Sequence, residues 1–293
     1  MGGLLLLVAT PIGNLDDFTF RGVEALREAD VILAEDTRRT RTLLVRHGIH
    51  KPVESFDAHK ERALADRIVE RIRGGVRMAL VSDAGTPCVS DPGATLVRAV
   101  LAAGLTVSPI PGASAVSAAV AAAGVGGPFR FDGFLVRKGG ERTRQLESIR
   151  RSPIAVVLFE SPQRLPETLR DLIAVLGAER PAVCCRELTK LHEEITAGTL
   201  ESLSRRYGDE VLGEVTLVVL PDASGRVERE AAAAAAVDAA KLAARLREEG
   251  LAPSRIAKVL ADVCGLPHRE AYVLAHSSSV AGPVDEERTT KNE

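Results

Sequence analysis

The chain has 293 residues, 45% of them hydrophobic and 27% charged, with a formal net charge of −2. That balance excludes a disordered or fibrous chain and excludes a protein that coats nucleic acid through a uniformly basic surface, so any nucleic-acid binding must rest on local patches. With no tryptophan and only 3% aromatic residues, the core has to be built from Leu, Val, Ile and Ala.

In chain order, Leu4–Ala9 reads as a strand buried in a parallel sheet, since it is continuously apolar and stops at Pro11. It lacks a basic start and is too short for a signal or a membrane span. Phe18–Glu28 is predicted helical, Val31–Ala34 a strand, Arg41–Arg46 a short helix ended by Gly48. Glu61–Arg73 places Leu64, Ile68 and Ile72 on one helical face before Gly74-Gly75 stops it. Val76–Val81 is the next strand, a helix follows Pro92-Gly93, then come the strand Thr106–Pro109 and the Ala-rich helix Ala113–Ala122. Strand–helix alternation of this kind predicts an α/β domain over residues 1–125. A Gly-rich break at 124–128 opens a second α/β domain, 126–222, with strands at Arg130–Val136, Ile154–Phe159, Ala182–Cys185 and Val215–Leu220, helices at Glu141–Arg150 and Gln163–Leu176, and more antiparallel pairing. After a linker at 221–225, an Ala-rich helix at about Val227–Glu249 and two short helices, Pro253–Val263 and Pro267–His276, form a helical module over 227–276. The polar tail 277–293 reads as disordered.

Four loops follow predicted strands, where ligands of open α/β sheets bind. Ala9–Leu15 carries Pro11 and Gly13, and reads either as a plain turn or as a close ligand approach. In Glu35–Arg41, two carboxylates end a strand and arginines open a helix against its dipole, so their charge has another use, phosphate recognition or a solvated ion-pair cluster. Ser82–Pro87, continuing to Ser90-Asp91-Pro92-Gly93, is a rigid loop with exposed backbone groups suited to a small polar ligand. In Ile110–Ala115, Ser114 is not a nucleophile elbow, because Val116 occupies the second glycine position; it reads as a cap or ligand contact. There is no G-x-x-x-x-G-K-[ST] and no G-x-G-x-x-G after a strand. Cys88, Cys184, Cys185 and Cys264 form no C-x-x-C pair, and the six histidines have no ligand spacing, so neither a metal nor a disulfide is expected. His59, near Asp57, reads as a surface or capping residue.

The strings Ala9–Leu15, Glu35–Arg38, Ser82–Pro87, Asp91–Gly93, Pro111–Ser114 and Arg186–Lys190, in this order, resemble the ribosomal RNA small subunit methyltransferase I family, which belongs to the tetrapyrrole-methylase, or class III, fold. Each string alone is weak; the ordered set is specific and spans about Leu4 to Ala275. The resemblance implies two α/β domains with S-adenosylmethionine in the cleft between them and a cytoplasmic homodimer. It also implies 2′-O-methylation of a cytidine, position 1402, in 16S ribosomal RNA. Carried over by motif, the cofactor would touch Pro11, Asp83, Ala84, Gly85, Val89, Ser114, Ala115, Phe159, Gly213 and Glu214. Glu35, Arg38 and Arg39 would face the nucleotide, with Arg137 and Lys138 clamping the RNA and Arg255 and Lys258 docking it. Asp36, then Asp83, are the expected acceptors of the 2′-hydroxyl proton, because both sit at strand ends. Further basic patches pair Arg142 and Arg144 with Arg137, and place Arg150-Arg151 and Arg205-Arg206 on the second domain. The alternatives are a tetrapyrrole C-methyltransferase, which would want a large apolar cleft and little basic surface, and a non-catalytic ribosome-assembly protein, which would need no rigid strand-end loops.

Overall fold

A computed structural model of the chain describes residues 2–56, 61–208, 211–222 and 238–276. Residues 1–222 make one compact unit containing two five-stranded sheets, and residues 223–293 belong to a second unit. His59, residues 227–237 of the long predicted helix and the tail 277–293 lie outside the described residues.

The first sheet is wholly parallel: β1 (Leu4–Val8), β2 (Val31–Ala34), β3 (Val53–Ser55), β4 (Arg77–Val81) and β5 (Thr106–Ile110), in the order β3-β2-β4-β1-β5. Its apolar runs are explained by cover on both faces. One face packs Leu6, Val8, Ile32 and Val81 against Leu26 of α1 (Phe20–Glu28) and Leu43 and Leu44 of α2 (Thr37–Arg46). The other packs Leu5, Leu33, Met78 and Leu80 against Ile68 and Ile72 of α3 (Glu61–Arg73) and Leu96 and Val100 of α4 (Ala94–Ala102). Each such large apolar side chain contributes roughly 1.5–3 kcal/mol by leaving water. The chain runs outward from β1 to β2 and β3, returns to β4 beside β1, then crosses to β5 on the other side of β1. The loops leaving β1 and β4 therefore diverge, and a crevice opens between them at the carboxyl ends of the strands.

The second sheet is β6 (Phe129–Phe134), β7 (Ala155–Glu160), β8 (Pro181–Arg186), β9 (Glu194–Thr199) and β10 (Val215–Val219), in the order β6-β7-β10-β8-β9. Only β6 and β7 pair in parallel, which matches the expected shift toward antiparallel pairing. Helices α6 (Gly140–Arg150), α7 (Leu165–Leu176) and α8 (Leu200–Arg206) bury Leu146, Leu169, Leu172 and Leu203 on one face. The other face packs Val157, Val183 and Val218 against Ile12 and the small residues Val116 and Ala119 of α5 (Ala115–Ala122). Cys184 and Cys185, adjacent on β8, point to these opposite faces, and burial pushes their thiols up to about 12 and about 11, so they behave as packing groups.

The second unit contains α9 (238–248), α10 (Pro253–Cys264) and α11 (His268–His276), packed through Ala239, Ala243, Ile256, Leu260, Ala271 and Ala275. Gly265, left-handed at φ 65°, ends α10 where the sequence places the stop. Among the described residues no helix is long and apolar enough to cross a membrane.

Candidate functional site

Three loops of the first sheet are tied together. Thr10 and Gly85 form an isolated antiparallel bridge between the β1 and β4 loops. The Thr10 hydroxyl donates to the Ser82 carbonyl at 3.1 Å, and the Ser82 hydroxyl to the Gly85 carbonyl at 3.0 Å. Thr86 Oγ1 donates to Ala113 O at 3.2 Å, which joins the β5 loop. Gly85 holds φ +83°, and a Cβ there would meet Ile12 at 3.3 Å, so glycine lets the β4 loop fold flat on the β1 loop.

Facing these loops are the ends of β6 and β7 and the start of β10. Phe159 stacks edge-on against Phe131 with centroids 4.8 Å apart and lies 5.7 Å from Phe134. Between the walls is a cavity of about 340 Å³, within the range of small-molecule sites, roughly 300–1,000 Å³. Of the expected cofactor residues, Ala84, Gly85, Val89, Ser114, Ala115, Phe159 and Glu214 all line it. Pro11 and Asp83 line an adjoining cavity of about 320 Å³, which shares Ile12, Ala84 and Glu214 with the first and has Arg39 in its wall. Gly213 lines neither; a Cβ on it would collide with the Glu187 carboxylate, so its place is behind the wall.

The acidic and basic residues of the β2 loop are organised around α2. Asp36 is its N-cap and accepts from Arg38 N at 2.8 Å and Arg39 N at 3.4 Å, which starts the helix at Thr37, four residues before the predicted start. These bonds, the Arg38 backbone N–H first and its guanidinium next, hold the Asp36 carboxyl below the usual range. Asp83 Oδ1 accepts from Asp36 N at 2.9 Å, and its Oδ2 lies 3.6 Å from the Arg39 guanidinium. Arg38 and Arg39 are exposed, as are Arg137 and Lys138, three and four residues beyond Phe134 on the turn that leaves β6. Arg255 and Lys258 are exposed on α10 of the second unit. Arg142 does not join the surface patch expected of it. It is 6% exposed and donates inward to Asp171, Val136 O and Thr168, because a guanidinium is buried only where its donors are filled. Arg206 stays exposed while it pairs with Glu194.

Sequence reasoning gave three residues of the site no role of their own. Glu160, at the end of β7, accepts from Ser161 N at 2.8 Å and from Thr168 at 2.6 Å, with Arg164 3.5 Å away. Lys190 bridges Glu187 at 2.8 Å and Glu214 at 3.1 Å. Asp91, which the sequence places in the rigid loop suited to a small polar ligand, also lines the larger cavity. The strand ends reveal the loops, but only long-range pairing reveals which carboxylates meet. Among the described residues no group of three or more His, Cys, Asp or Glu could hold a metal ion.

The model of the tetrapyrrole (corrin/porphyrin) methylases matches residues 4–204. Ribosomal RNA small subunit methyltransferase I of Xylella fastidiosa is 41% identical over 274 residues, 92% of this chain and 98% of that protein. The Thermotoga maritima protein of the same name is 44% identical, over 74% of this chain and 98% of its own length. Among solved structures, the methyltransferase CobJ superposes with a TM-score of 0.58 at 23% identity, covering 76% of this chain and 95% of that one. A Thermus thermophilus uroporphyrin-III C-methyltransferase complexed with S-adenosylhomocysteine does so with 0.52 at 19%, covering 78% and 99%. These structures share the fold. On sequence, the chain belongs to the tetrapyrrole methylase family and, within it, to the ribosomal RNA small subunit methyltransferases I.

Proposed function

We propose that this methyltransferase moves a methyl group from S-adenosylmethionine to the 2′-oxygen of a cytidine, position 1402, in 16S ribosomal RNA. The observation that carries the reading is the cavity between the stitched strand-end loops and the Phe159 wall, in a chain 41% identical to a ribosomal RNA methyltransferase. Its residues suit this cofactor. Ala84, Gly85, Ser114 and Ala115 leave room and expose backbone donors and acceptors, Phe159 and Phe134 offer aromatic faces, and Asp91, Glu160 and Glu214 favour a cationic guest.

When bound, S-adenosylmethionine supplies an activated methyl carbon beside a cationic sulfur. The protein's part is placement, and a reacting oxygen held at attack distance lowers the barrier by up to roughly 7–11 kcal/mol. Pro11, Asp83 and Arg39, around the adjoining cavity, form the nucleotide's entrance. Asp36 and Asp83 keep that entrance in shape through their shared hydrogen bond, while Glu35, Arg38 and Arg39 face the nucleotide. Arg137 and Lys138 hold the phosphates at the rim, and Arg255 and Lys258 on the C-terminal unit add RNA contacts. Binding should therefore weaken steeply with salt. We place the enzyme in the cytoplasm as a homodimer; exposed Leu191, Ile195 and Leu212, on and beside the edge strand β9, are the apolar surface such a dimer would cover.

The test is twofold. Calorimetry should detect binding of S-adenosylhomocysteine, and purified small subunits lacking the modification should gain one ribose methyl on incubation with the enzyme and methyl donor, mapped by mass spectrometry of RNA fragments. Binding of the nucleoside with methylation of a base, or of no RNA at all, would refute the reading.

A further inference from the structure

A further concavity lies beside α6 at the start of β6, and its charge is opposite to that of the larger cavity. Among the described residues, the larger cavity is lined by three carboxylates and by no Lys, Arg or His. The open groove beside α6, about 670 Å³, is lined instead by Arg130, Arg144 and Arg151, with Thr143, Ser148 and one carboxylate, Glu147. The register of α6 brings them together. Arg144, Ser148 and Arg151 follow one another at four and three residues on its exposed face, while Arg142, Leu146 and Ile149 are buried. Glu147 is shared between Arg150 at 3.0 Å and Arg151 at 3.7 Å, and Asp132 holds Arg130 at 2.7 Å. Arg144 has no carboxylate at ion-pair distance among the described residues.

We propose that this groove takes phosphates of the ribosomal RNA strand outside the target nucleotide, a claim that rests on the function proposed above. Cations near the end of a helix have an ordinary use, because its last carbonyls attract them. That accounts for Arg150 and Arg151, but not for Arg144 in mid-helix or for Arg130 on a strand. The groove is open, which suits an extended polyanion better than a small enclosed anion. It is also continuous with the site through both elements that build it. β6 carries Phe134 in the wall of the larger cavity and Arg130 four residues earlier, about 13 Å away at about 3.3 Å per residue. Arg137 and Lys138 stand on the turn from β6 into α6. Arg144 and Arg151 come next, about 10 Å apart along the helix axis at about 1.5 Å per residue. A strand that places one ribose in the cavity passes this rim and then α6 within a few nucleotides. Guanidinium groups take phosphate oxygens through paired N–H donors, and the Thr143 and Ser148 hydroxyls add further donors. Such contacts read no bases; they fix the register of the strand, so α6 helps to set which nucleotide reaches the methyl donor.

The test uses the full chain and small ribosomal subunits lacking the modification, with binding measured between about 50 and about 200 mM salt. The double variant Arg144→Ala, Arg151→Ala should bind subunits about tenfold more weakly at the low end, and the slope of log affinity against log salt should become shallower by about 1.4, or about 0.7 for each phosphate lost. The subunit concentration for half-maximal methylation should rise with the loss of affinity, while S-adenosylhomocysteine affinity and the melting temperature stay where they are. Arg144→Lys with Arg151→Lys, which keeps the charge, should keep most of the slope. A benzophenone amino acid placed at Ser148 should crosslink to 16S ribosomal RNA in the complex. Unchanged affinity and slope in the alanine variant, equal loss of slope in the lysine variant, or crosslinks to a ribosomal protein alone would each overturn the assignment. A wild-type enzyme that leaves the ribose unmethylated would instead overturn the functional reading, whereas full methylation by the wild type beside an unaffected alanine variant would overturn this assignment alone.

Discussion

Thr10 and Gly85 exchange both of their backbone hydrogen bonds, Thr10 N to Gly85 O at 2.9 Å and Gly85 N to Thr10 O at 3.0 Å, across the point where the parallel sheet reverses its winding. The two loops that would otherwise splay from β1 and β4 become one short ribbon. The ribbon is the floor of the cavity, and Thr10 is only 4% exposed beneath it. Crevices of this kind are where open α/β sheets take ligands. Here the crevice is closed below and the ligand space is pushed toward the second sheet.

Gly85→Ala tests the ribbon. The left-handed backbone costs an L-residue about 1–2 kcal/mol, and its Cβ would press on Ile12. The loop can relieve this only by parting from Thr10. The expected outcome is at least a tenfold loss of S-adenosylhomocysteine affinity in calorimetry, with a melting temperature lowered by only a few degrees. An unchanged affinity would mean that the ribbon does not shape the binding site.

Glu61→Ala tests how the Asp91 loop is held. Helix α4 has Gly93 at its N-cap and no side-chain cap of its own. Glu61 Oε1, from another helix, accepts instead from Gly93, Thr95 and Leu96 N at 3.2, 2.6 and 3.0 Å. Removing such a cap costs about 0.5–2 kcal/mol. Glu61→Ala should lower the melting temperature and weaken nucleoside binding, and Glu61→Gln, which keeps an acceptor oxygen, should do less of both. Equal effects of the two substitutions in thermal melts would argue against capping as the cause.

What was legible in the sequence follows from where information is local. β1, β2 and β4 are continuous apolar runs because both faces are covered, and they declare themselves. β3 is three half-exposed residues after Pro52, and β9, Glu194–Thr199, alternates charged, apolar and small residues along a sheet edge; both owe their strand state to their neighbours and leave no periodic trace. Helix α8 has only seven residues. At the site, Ala84, Gly85, Ser114 and Ala115 were readable because glycine, proline and small residues at strand ends have local meaning. The part Asp36 plays was not, because it depends on Asp83, 47 residues away, and on a cap that forms only with the helix. Arg142 shows the same limit, since an arginine in a basic string carries no local sign that it is buried.

Arg142→Ala should therefore act on stability and on the cavity together. Its guanidinium joins Asp171 at 2.7 Å, Val136 O at 2.8 Å and Thr168 at 3.1 Å, and Thr168 in turn donates to Glu160 in the cavity wall. Arg142 is buried but Asp171 is 37% exposed, so losing the guanidinium costs on the order of 1.5–3 kcal/mol, as for hydrogen bonds to a charged group, and a unit of this size loses about 2–4 °C per kcal/mol. A drop of several degrees in a thermal melt, with weaker nucleoside binding, is expected. An Arg142→Ala protein that melts like wild type and loses only RNA affinity would restore the surface role.

Acid sensitivity should concentrate at Glu194. Burial opposes its ionisation, but hydrogen bonds from Tyr207, Arg206, Arg186 and Thr196 outweigh burial and bring its carboxyl down to about 2 from 4.5. The distances are 2.8 Å from Tyr207, 2.7 Å from Arg206, 3.0 Å from Arg186 and 3.2 Å from Thr196. A carboxyl whose folded value lies below its unfolded value binds fewer protons when folded. Its contribution is complete above about pH 4.5 and is lost as the pH falls toward 2. Glu194→Gln should thus melt below wild type at pH 7, since Arg186 and Arg206 lose their shared anion at the β8–β9 edge. The two proteins should converge as the pH drops from 5 toward 2, because protonation gives the wild-type side chain the same neutral character. Melting curves of both proteins at half-unit pH intervals decide it: a constant gap down to pH 2 would place the acid sensitivity elsewhere.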